Sequence, residues 1–432
     1  MTARGAGLRR LLLATPVERR AALWSFGYFF ALLAAYYVLR PLRDQTAIAG
    51  GVDALPWLFS ATFLTLLAAQ PLYGALVARL PRHRFIAFVY HFFAFHLAAF
   101  WLLLVFGIEP VAVARVFFVW VSVFNLFAVA VFWSFMADLF DSEQGKRLFG
   151  FIGAGGTAGG LLGPVITIAL AGPLGPANLL LVALLLLELA VLCVHRLERT
   201  ASVASRGPRR DERVIGGSAF SALSGIVRSP YLLGVAAWVS LLSFGATVLY
   251  FAQAHLVAAE VQGAAAQTRV FAGIDLAVGL LTLATQVFVT GRCLERFGTG
   301  IALAALPVVY LVGFACLGFS PTLGVVLVFQ VAQRWMNFAI ANPARQVLFT
   351  VVGRDAKYKA KNAIDTVVYR ASDALYGWAF DSLQALGLKL GAVALVALPV
   401  AAAWLVLSTA LGRMHERRAR QTDAGVMEAP GT

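Results

Sequence analysis

Apolar residues along this chain fall in long runs, interrupted by short stretches rich in arginine, glycine and proline. A helix that crosses the hydrocarbon core of a bilayer needs about 20 mostly apolar residues. Twelve runs meet that length, at about 21–40, 55–78, 85–107, 113–137, 148–171, 174–195, 231–257, 270–290, 299–318, 322–349, 363–386 and 391–412. The pattern predicts an all-α polytopic membrane protein with twelve transmembrane helices. The apolar stretch Leu11 to Val17 is short, contains Pro16 and runs into Glu18, Arg19 and Arg20, so it reads as an attached tail and not as a cleavable signal.

The basic residues alternate with the spans. The N-terminal tail carries Arg4, Arg9, Arg10, Arg19 and Arg20. The even-numbered loops carry Arg79, Arg82 and Arg84, then Lys146 and Arg147, then six arginines between Arg196 and Arg213, then Arg292 and Arg296, then Arg354, Lys357, Lys359 and Lys361. The C-terminal tail adds Arg413, Arg417, Arg418 and Arg420, whereas the odd-numbered loops hold little beyond Arg43, Arg269 and Lys389. By the positive-inside rule both termini are expected in the cytoplasm of a bacterial cell, with the chain in its inner membrane.

A polar Ser-Gly-Pro-Arg segment at 196–229 reads as a cytoplasmic linker. It separates a six-helix bundle at 1–195 from a second at 230–412, with a tail at 413–432. Six is even, so the two bundles enter the membrane in the same orientation, as parallel repeats do. Arg79, Arg82 and Arg84 after span two match Arg292 and Arg296 after span eight; Lys146-Arg147 before span five matches the lysine cluster before span eleven. These matches favour internal duplication, while a chain without duplication stays open.

Composition agrees with the pattern: 60% of residues are hydrophobic and 13% charged, against about 25% charged in soluble domains. The formal net charge of +14 would suggest nucleic acid if it formed a surface patch; its placement in loops assigns it to topology, and no nucleic acid partner is expected. Cys193, Cys293 and Cys316 form neither a disulfide framework nor a metal set. No Ser/His/Asp set, HExxH, Walker A or paired-cysteine motif occurs, so neither enzymatic chemistry nor a cofactor or metal is expected. The glycine run from Gly153 to Gly163 follows no strand, which argues against a dinucleotide fold. Gly155, Gly159 and Gly163 instead make a small-residue face for close helix contact, suited to a surface where one half rocks against the other.

Polar residues inside spans carry the functional signal, because an arginine near the bilayer centre costs about 2.5–3.5 kcal/mol on insertion scales. Tyr36, Arg40 and Arg43 share a face of span one, with Asp44 beside them and Pro41 expected to kink or end the helix. They read either as a cationic wall on an anion path, with Asp44 pairing one arginine, or as side chains snorkelling to the interface. Span ten carries Gln330, Arg334, Asn337, Ala341 and Arg345 in one stripe, with Trp335 and Phe338 off it. In span eleven, Arg370 and Asp373 fit an i, i+3 pair that reads as structural, and Asp365 sits one residue from ideal pairing with Arg370. Arg115, Asn125, Glu188, Gln253, His255, Asp275 and Gln286 stand singly and read as packing or hydrogen-bonding residues.

Three stretches resemble the non-mitochondrial ATP/ADP translocases, the nucleotide transporters of plastids and intracellular bacteria. Tyr37-Val-Leu-Arg-Pro-Leu-Arg-Asp44 is similar to that family's Leu-Arg-Asp-x-Lys-Asp pattern, with Arg43 at the lysine and Asp44 at the last aspartate. Phe132-Trp-Ser-Phe-Met-Ala-Asp138, Glu143 and Gly145-Lys-Arg-Leu-Phe-Gly150 resemble its Phe-Trp-Gly-Phe segment and following basic turn. Asn342-Pro-Ala-Arg-Gln346 and Lys357-Tyr-Lys-Ala-Lys-Asn-Ala-Ile-Asp365 resemble its Asp-Pro-x-Lys-Glu segment and lysine-rich run. Where the family has acidic residues in spans four and seven, the nearest positions run Trp120 to Asn125 and Thr247 to Gln253 without a carboxylate.

The resemblance implies a major-facilitator-like carrier in which cations of the first and tenth spans hold nucleotide phosphates, with Arg43 and Arg345 in that role. Arg40 and Arg334 would widen the positive field, Asp44 would orient Arg43, and Asn337 would add a polar contact. Lys361, Asp365, Lys146 and Arg147 would gate the path. The expected partners are a small anionic substrate, ATP or ADP among the options, and the lipid bilayer; no protein partner is expected. Two rivals are a facilitator of a metabolite or drug, proton-coupled through Asp275 or Asp365, and a membrane scaffold or sensor without flux.

Overall fold

The computed structural model describes residues 15–79, 82–204 and 225–427. Arg4, Arg9, Arg10 and the linker arginines from Arg206 to Arg213 lie outside these, as do the side chains of Arg79, Arg82, Arg84, Lys146, Arg354 and Lys357.

Helices α1 (Pro16–Ala49), α2 (Leu55–Arg79), α3 (Arg82–Val105), α4 (Pro110–Leu139), α5 (Ser142–Leu170) and α6 (Leu179–Ala204) form the first set of six. The second set is α7 (Pro230–Glu260), α8 (Ala264–Phe288), α9 (Thr290–Phe319), two interrupted helices and α12 (Leu390–Met427). The first interrupted helix, α10, runs Leu323–Met336, continues through a π turn at Asn337–Ala341 and resumes at Asn342–Leu348. The second, α11, runs Arg354–Ala363, passes a π turn at Ile364–Val368 and resumes at Tyr369–Ala385. Eleven segments are long and apolar enough to cross a membrane among the described residues. The twelfth, α11, is set apart by Asp365, Arg370, Asp373 and Asp381. Phe95, Val328, Leu185 and Phe319 are exposed, which in water would be costly and in lipid is the required outer surface.

Several helices outrun the sequence expectation. Pro41 does not end α1, which continues to Ala49 with Pro41 buried inside it. Proline removes one backbone bond, and neighbouring helices supply the packing that holds the helix together in a bundle. The basic stretches Arg292–Arg296 and Arg354–Lys361 are helical rather than looped. In α9 the interruption comes at Gly298, whose φ of +74° is in the left-handed region. The last helix, α12, is continuous over 38 residues.

Contacts divide the chain into two compact units. The first takes in Met1–Val52, Leu64–Glu212 and Val261–Gly279; the second takes in Asp53–Phe63, Arg213–Glu260 and Leu280–Thr432. In the first, α1 is central and packs on α4, α5 and α6. A Cβ at Gly155 would lie 2.4 Å from Phe26 O, at Gly159 2.2 Å from Phe30 O, and at Gly163 2.8 Å from Ala34 O. The glycine face therefore seats α5 on α1 inside one unit, and not on a surface where two halves rock. Backbone atoms stand opposite these positions, which is why the face needs glycine. Phe29 stacks on Phe132 at 4.0 Å between centroids, and the Tyr28 and Tyr90 hydroxyls bond each other.

In the second unit, α9 and α12 run antiparallel and touch at two glycine pairs, Gly300 with Gly412 and Gly318 with Gly391. Trp238 of α7 bonds Ser408 Oγ of α12 at 2.9 Å and packs edge-on to Trp404. At the far end of α12, Tyr231 of α7 donates to Leu348 O of α10 at 2.7 Å while the Arg418 guanidinium covers its ring at 4.6 Å.

Candidate functional site

Helical spacing on α1 brings Arg40, Arg43 and Asp44 together near its end, as the sequence pattern requires. Arg43 donates from Nε (2.9 Å) and Nη2 (2.6 Å) to Asp44 Oδ1, and its guanidinium lies 5.1 Å from the Phe118 ring centroid of α4. Arg40 reaches a different helix, with Nη1 3.3 Å from Asp275 Oδ1 on α8. Both arginines are mostly withdrawn from solvent, and Asp275 is buried. Charged groups at membrane depth persist when paired and hydrogen-bonded, and the first unit holds two such ion pairs.

A second cluster forms where α10 and α11 are interrupted. Asn337 opens the π turn of α10, and its carbonyl accepts the Asn342 N–H five residues on. In α11 the Ile364 carbonyl accepts from Tyr369 in the same way. Each π turn inserts an extra residue and re-aims the helix beyond it, a device common at functional sites. Arg345 then points Nη1 at Asp365 Oδ1 (2.6 Å) and Nη2 at Asn342 Oδ1 (3.0 Å), and Gln346 Nε2 approaches the same Asn342 oxygen at 3.4 Å. Asp365 thus pairs across to α10, and not along its own helix with Arg370. Arg334 is half-buried one turn before the π turn, and Lys361 is half-buried in the last turn before the π turn of α11.

The rest of the α10 stripe has other work. Tyr310 OH donates to Gln333 Oε1 at 2.9 Å and Gln333 Nε2 to Gln330 Oε1 at 2.9 Å, a buried chain that packs α10 on α9. Trp335, off that stripe, donates from Nε1 to Thr285 Oγ1 of α8 at 2.8 Å.

Arg147 sits in the first unit at the start of α5, 3.2 Å from Glu18 Oε1 on α1, with Gln144 Nε2 on the same oxygen at 2.9 Å. Glu18 and Gln144 each close a capping box, with Thr15 and Asp141 respectively, so two helix starts are tied together. Lys146 lies on the same first turn, its side chain outside the described residues.

Elsewhere in the first unit, Arg115 Nε donates to Gly50 O (2.9 Å) and Arg269 Nε to Ile168 O (3.1 Å). Each arginine serves a carbonyl at the C-terminal end of a neighbouring helix, where positive charge is favoured.

A third polar cluster joins α11 to α7. Asp373 is buried; its Oδ1 accepts from Ser243 Oγ at 2.6 Å and Thr247 Oγ1 at 3.5 Å, and its Oδ2 from Arg370 Nη1 at 3.2 Å. Ser372 Oγ donates to Ser240 Oγ at 2.8 Å, and Ser240 meets Tyr376 OH at 3.0 Å. Among the described residues no group of three or more metal-ligating side chains could hold an ion.

A family model for the Major Facilitator Superfamily matches residues 21–354. The chain belongs to that superfamily. A bacterial homologue of the human lysosomal transporter Spinster, solved inward-facing and unoccupied, is similar at TM-score 0.58 and 12% identity, over 93% of this chain and 99% of that one. The nucleoside transporter NupG, solved as a point mutant, is similar at TM-score 0.56 and 14% identity over the same shares. No curated protein matches this sequence. As a member of the Major Facilitator Superfamily the protein is a multi-pass membrane transporter of the twelve-helix fold.

Sequence reading passed over three features of this superfamily member's polar interior. Arg40 and Asp275 are far apart in the chain, and only the fold pairs them. Asn342 was legible as a motif residue but not as the group that steadies Arg345. Ser240, Ser243 and Thr247 recur at three- and four-residue spacing on α7, a signal of one polar face that stands out once α11 is placed against it.

Proposed function

We propose that the protein carries an anionic, phosphorylated solute across the membrane by alternating access, with Arg43 and Arg345 as contacts to the anion and a nucleotide as the first substrate class to try. The observation that carries this reading is the pair of pre-aimed guanidiniums inside apolar spans, Arg43 on Asp44 and Arg345 between Asp365 and Asn342. Guanidinium forks bind phosphate oxygens bidentately, and an incoming anion competes with the resident carboxylate for them. The resemblance of the Asn342–Gln346 and Lys357–Asp365 stretches to nucleotide translocases supports the nucleotide; NupG, at 14% identity, supports the fold alone. Arg40 and Arg334 add to the local potential, Asn337 lies at the π turn of α10, and Lys361, Asp365, Lys146 and Arg147 are the gating candidates. The loop cations support an inner-membrane protein with both termini in the cytoplasm.

Purified protein in liposomes loaded with ADP is expected to exchange it for labelled external ATP or ADP. Arg43→Ala and Arg345→Ala each depress the rate at least tenfold; normal exchange in both variants defeats the assignment. A second reading, a proton-coupled facilitator, is favoured by one observation: the carboxylates Asp275 and Asp365 each sit on an arginine inside the helices. Uptake that tracks a pH gradient and ignores internal counter-substrate supports that reading over exchange.

A further inference from the structure

The arginine–carboxylate pairs Arg40–Asp275, Arg43–Asp44, Arg345–Asp365 and Arg370–Asp373 are not equivalent. The arginine side chains of the Arg40–Asp275, Arg43–Asp44 and Arg345–Asp365 pairs are 18%, 17% and 13% exposed, whereas Arg370 of the Arg370–Asp373 pair is 36% exposed beside a carboxylate that is 8% exposed. Protonating any of these carboxylates leaves its arginine uncompensated. The guanidinium left over at Asp373 is the one least enclosed by protein.

The partners of Asp373 are suited to both of its charge states. A guanidinium only donates, but a hydroxyl donates or accepts by rotating. In the ionised form Ser243 donates to Oδ1 and Arg370 to Oδ2. With a proton on Oδ1, the acid donates to Ser243 Oγ, and the Ser243 proton turns to the helix carbonyl four residues back, as serines in helices do. Oδ2 remains a carbonyl acceptor for Arg370. No buried polar group is stranded in either state, which keeps the penalty for unmade bonds out of the transition. Arg370 is the charged group facing Asp373, and α7 faces it with Ser243 and Thr247; the start of α2 and α12, which also pack on α11, bring it no charge among the described residues.

We propose that Asp373 is a proton-binding site and that its proton travels with the anionic cargo. Protonation takes the Arg370–Asp373 pair from neutral to a single positive charge, so the proton and an anion favour each other's binding. The coupling step rests on the anion-transport reading above; the proton site does not.

The test uses the full chain in liposomes. Infrared difference spectra recorded as the pH is lowered show a carboxylic acid C=O band that is absent in Asp373→Asn, present in Asp275→Asn and Asp365→Asn, and moved in frequency in Ser243→Ala. Ser243→Ala keeps the carboxylate and decides the matter if Asp373→Asn fails to fold. A band that survives in Asp373→Asn, or one unmoved in Ser243→Ala, overturns the site. In the same liposomes, an inward proton gradient speeds uptake of labelled ADP by wild-type protein, and in Asp373→Asn the ratio of uptake with and without the gradient falls to unity while exchange at equal pH persists. An unchanged ratio overturns the coupling. A wild-type protein that shows the band but takes up no ADP supports the proton site and counts against the nucleotide reading alone.

Discussion

Alanine at Gly159 tests the α1–α5 contact with an internal control on the same helix. A Cβ there would lie 2.2 Å from Phe30 O, 2.9 Å from Ala34 N and 3.0 Å from Phe30 C. All three are backbone atoms of α1, so no side chain can turn aside, and the helices must separate to restore ordinary contact. Overpacking of this kind costs about 1–3 kcal/mol, and a backbone obstacle belongs in the upper part of that range. Alanine also gains about 1 kcal/mol in helix propensity over glycine, leaving Gly159→Ala destabilised by about 1–2 kcal/mol. At Gly153, also within α5, a Cβ meets nothing within 4 Å, so Gly153→Ala collects the propensity gain with no clash. Melting curves of the two variants in one detergent separate the terms. At about 2–4 °C per kcal/mol, Gly159→Ala melts several degrees below wild type and Gly153→Ala at or above it. Equal melting temperatures for the two variants would refute the close-packed interface.

Other contacts lend themselves to the same treatment. Arg345→Ala strands Asp365 and costs about 1–3 kcal/mol, discounted from the fully buried case because Asp365 is only partly enclosed by protein. The double variant Arg345→Ala/Asp365→Ala recovers part of that loss, and a double-mutant cycle by thermal unfolding showing no coupling would remove the pair from the account. Glu18→Ala opens the capping box at the start of α1 and its link to Gln144 and Arg147; a loss of about 0.5–2 kcal/mol is expected, with the start of α5 exchanging amide hydrogens faster. Protection there that matches wild type counts against the linked caps. Gly298→Ala forces a Cβ into left-handed backbone and lowers stability by about 1–2 kcal/mol, whereas Gly291→Ala, with open space around it, does not; the melting temperatures of the pair decide.

The span count and the all-helical class were legible because the bilayer demands long apolar runs and leaves little else for them to become. Local pairs were legible as well, as with Arg43 beside Asp44 and Arg370 three residues before Asp373, where helical geometry alone brings the side chains together. The π turns were not. A stripe drawn at α-helical spacing from Gln330 to Arg345 assumes an unbroken 3.6-residue repeat, and the insertion at Asn337–Ala341 breaks it. Gln330 therefore serves the Tyr310 side while Arg345 turns to α11. The glycine run announced close packing but not its partner, since small residues say how near a neighbour comes and not which neighbour it is. Arg269 looked like an exception to a charge rule and Arg115 like a lone hydrogen-bonding residue; each answers a carbonyl at the end of an adjacent helix, an address that no loop count contains.

The uninterrupted α12 offers an experimental handle. At about 1.5 Å per residue its 38 residues extend about 57 Å, nearly twice the hydrocarbon thickness of about 30 Å. Its stretch near Arg418 is clamped against Tyr231, which in turn holds the end of α10. A binding protein fused in helical register beyond Arg420 would therefore ride on this rod as a rigid fiducial, adding asymmetric mass by which particles can be aligned in electron micrographs.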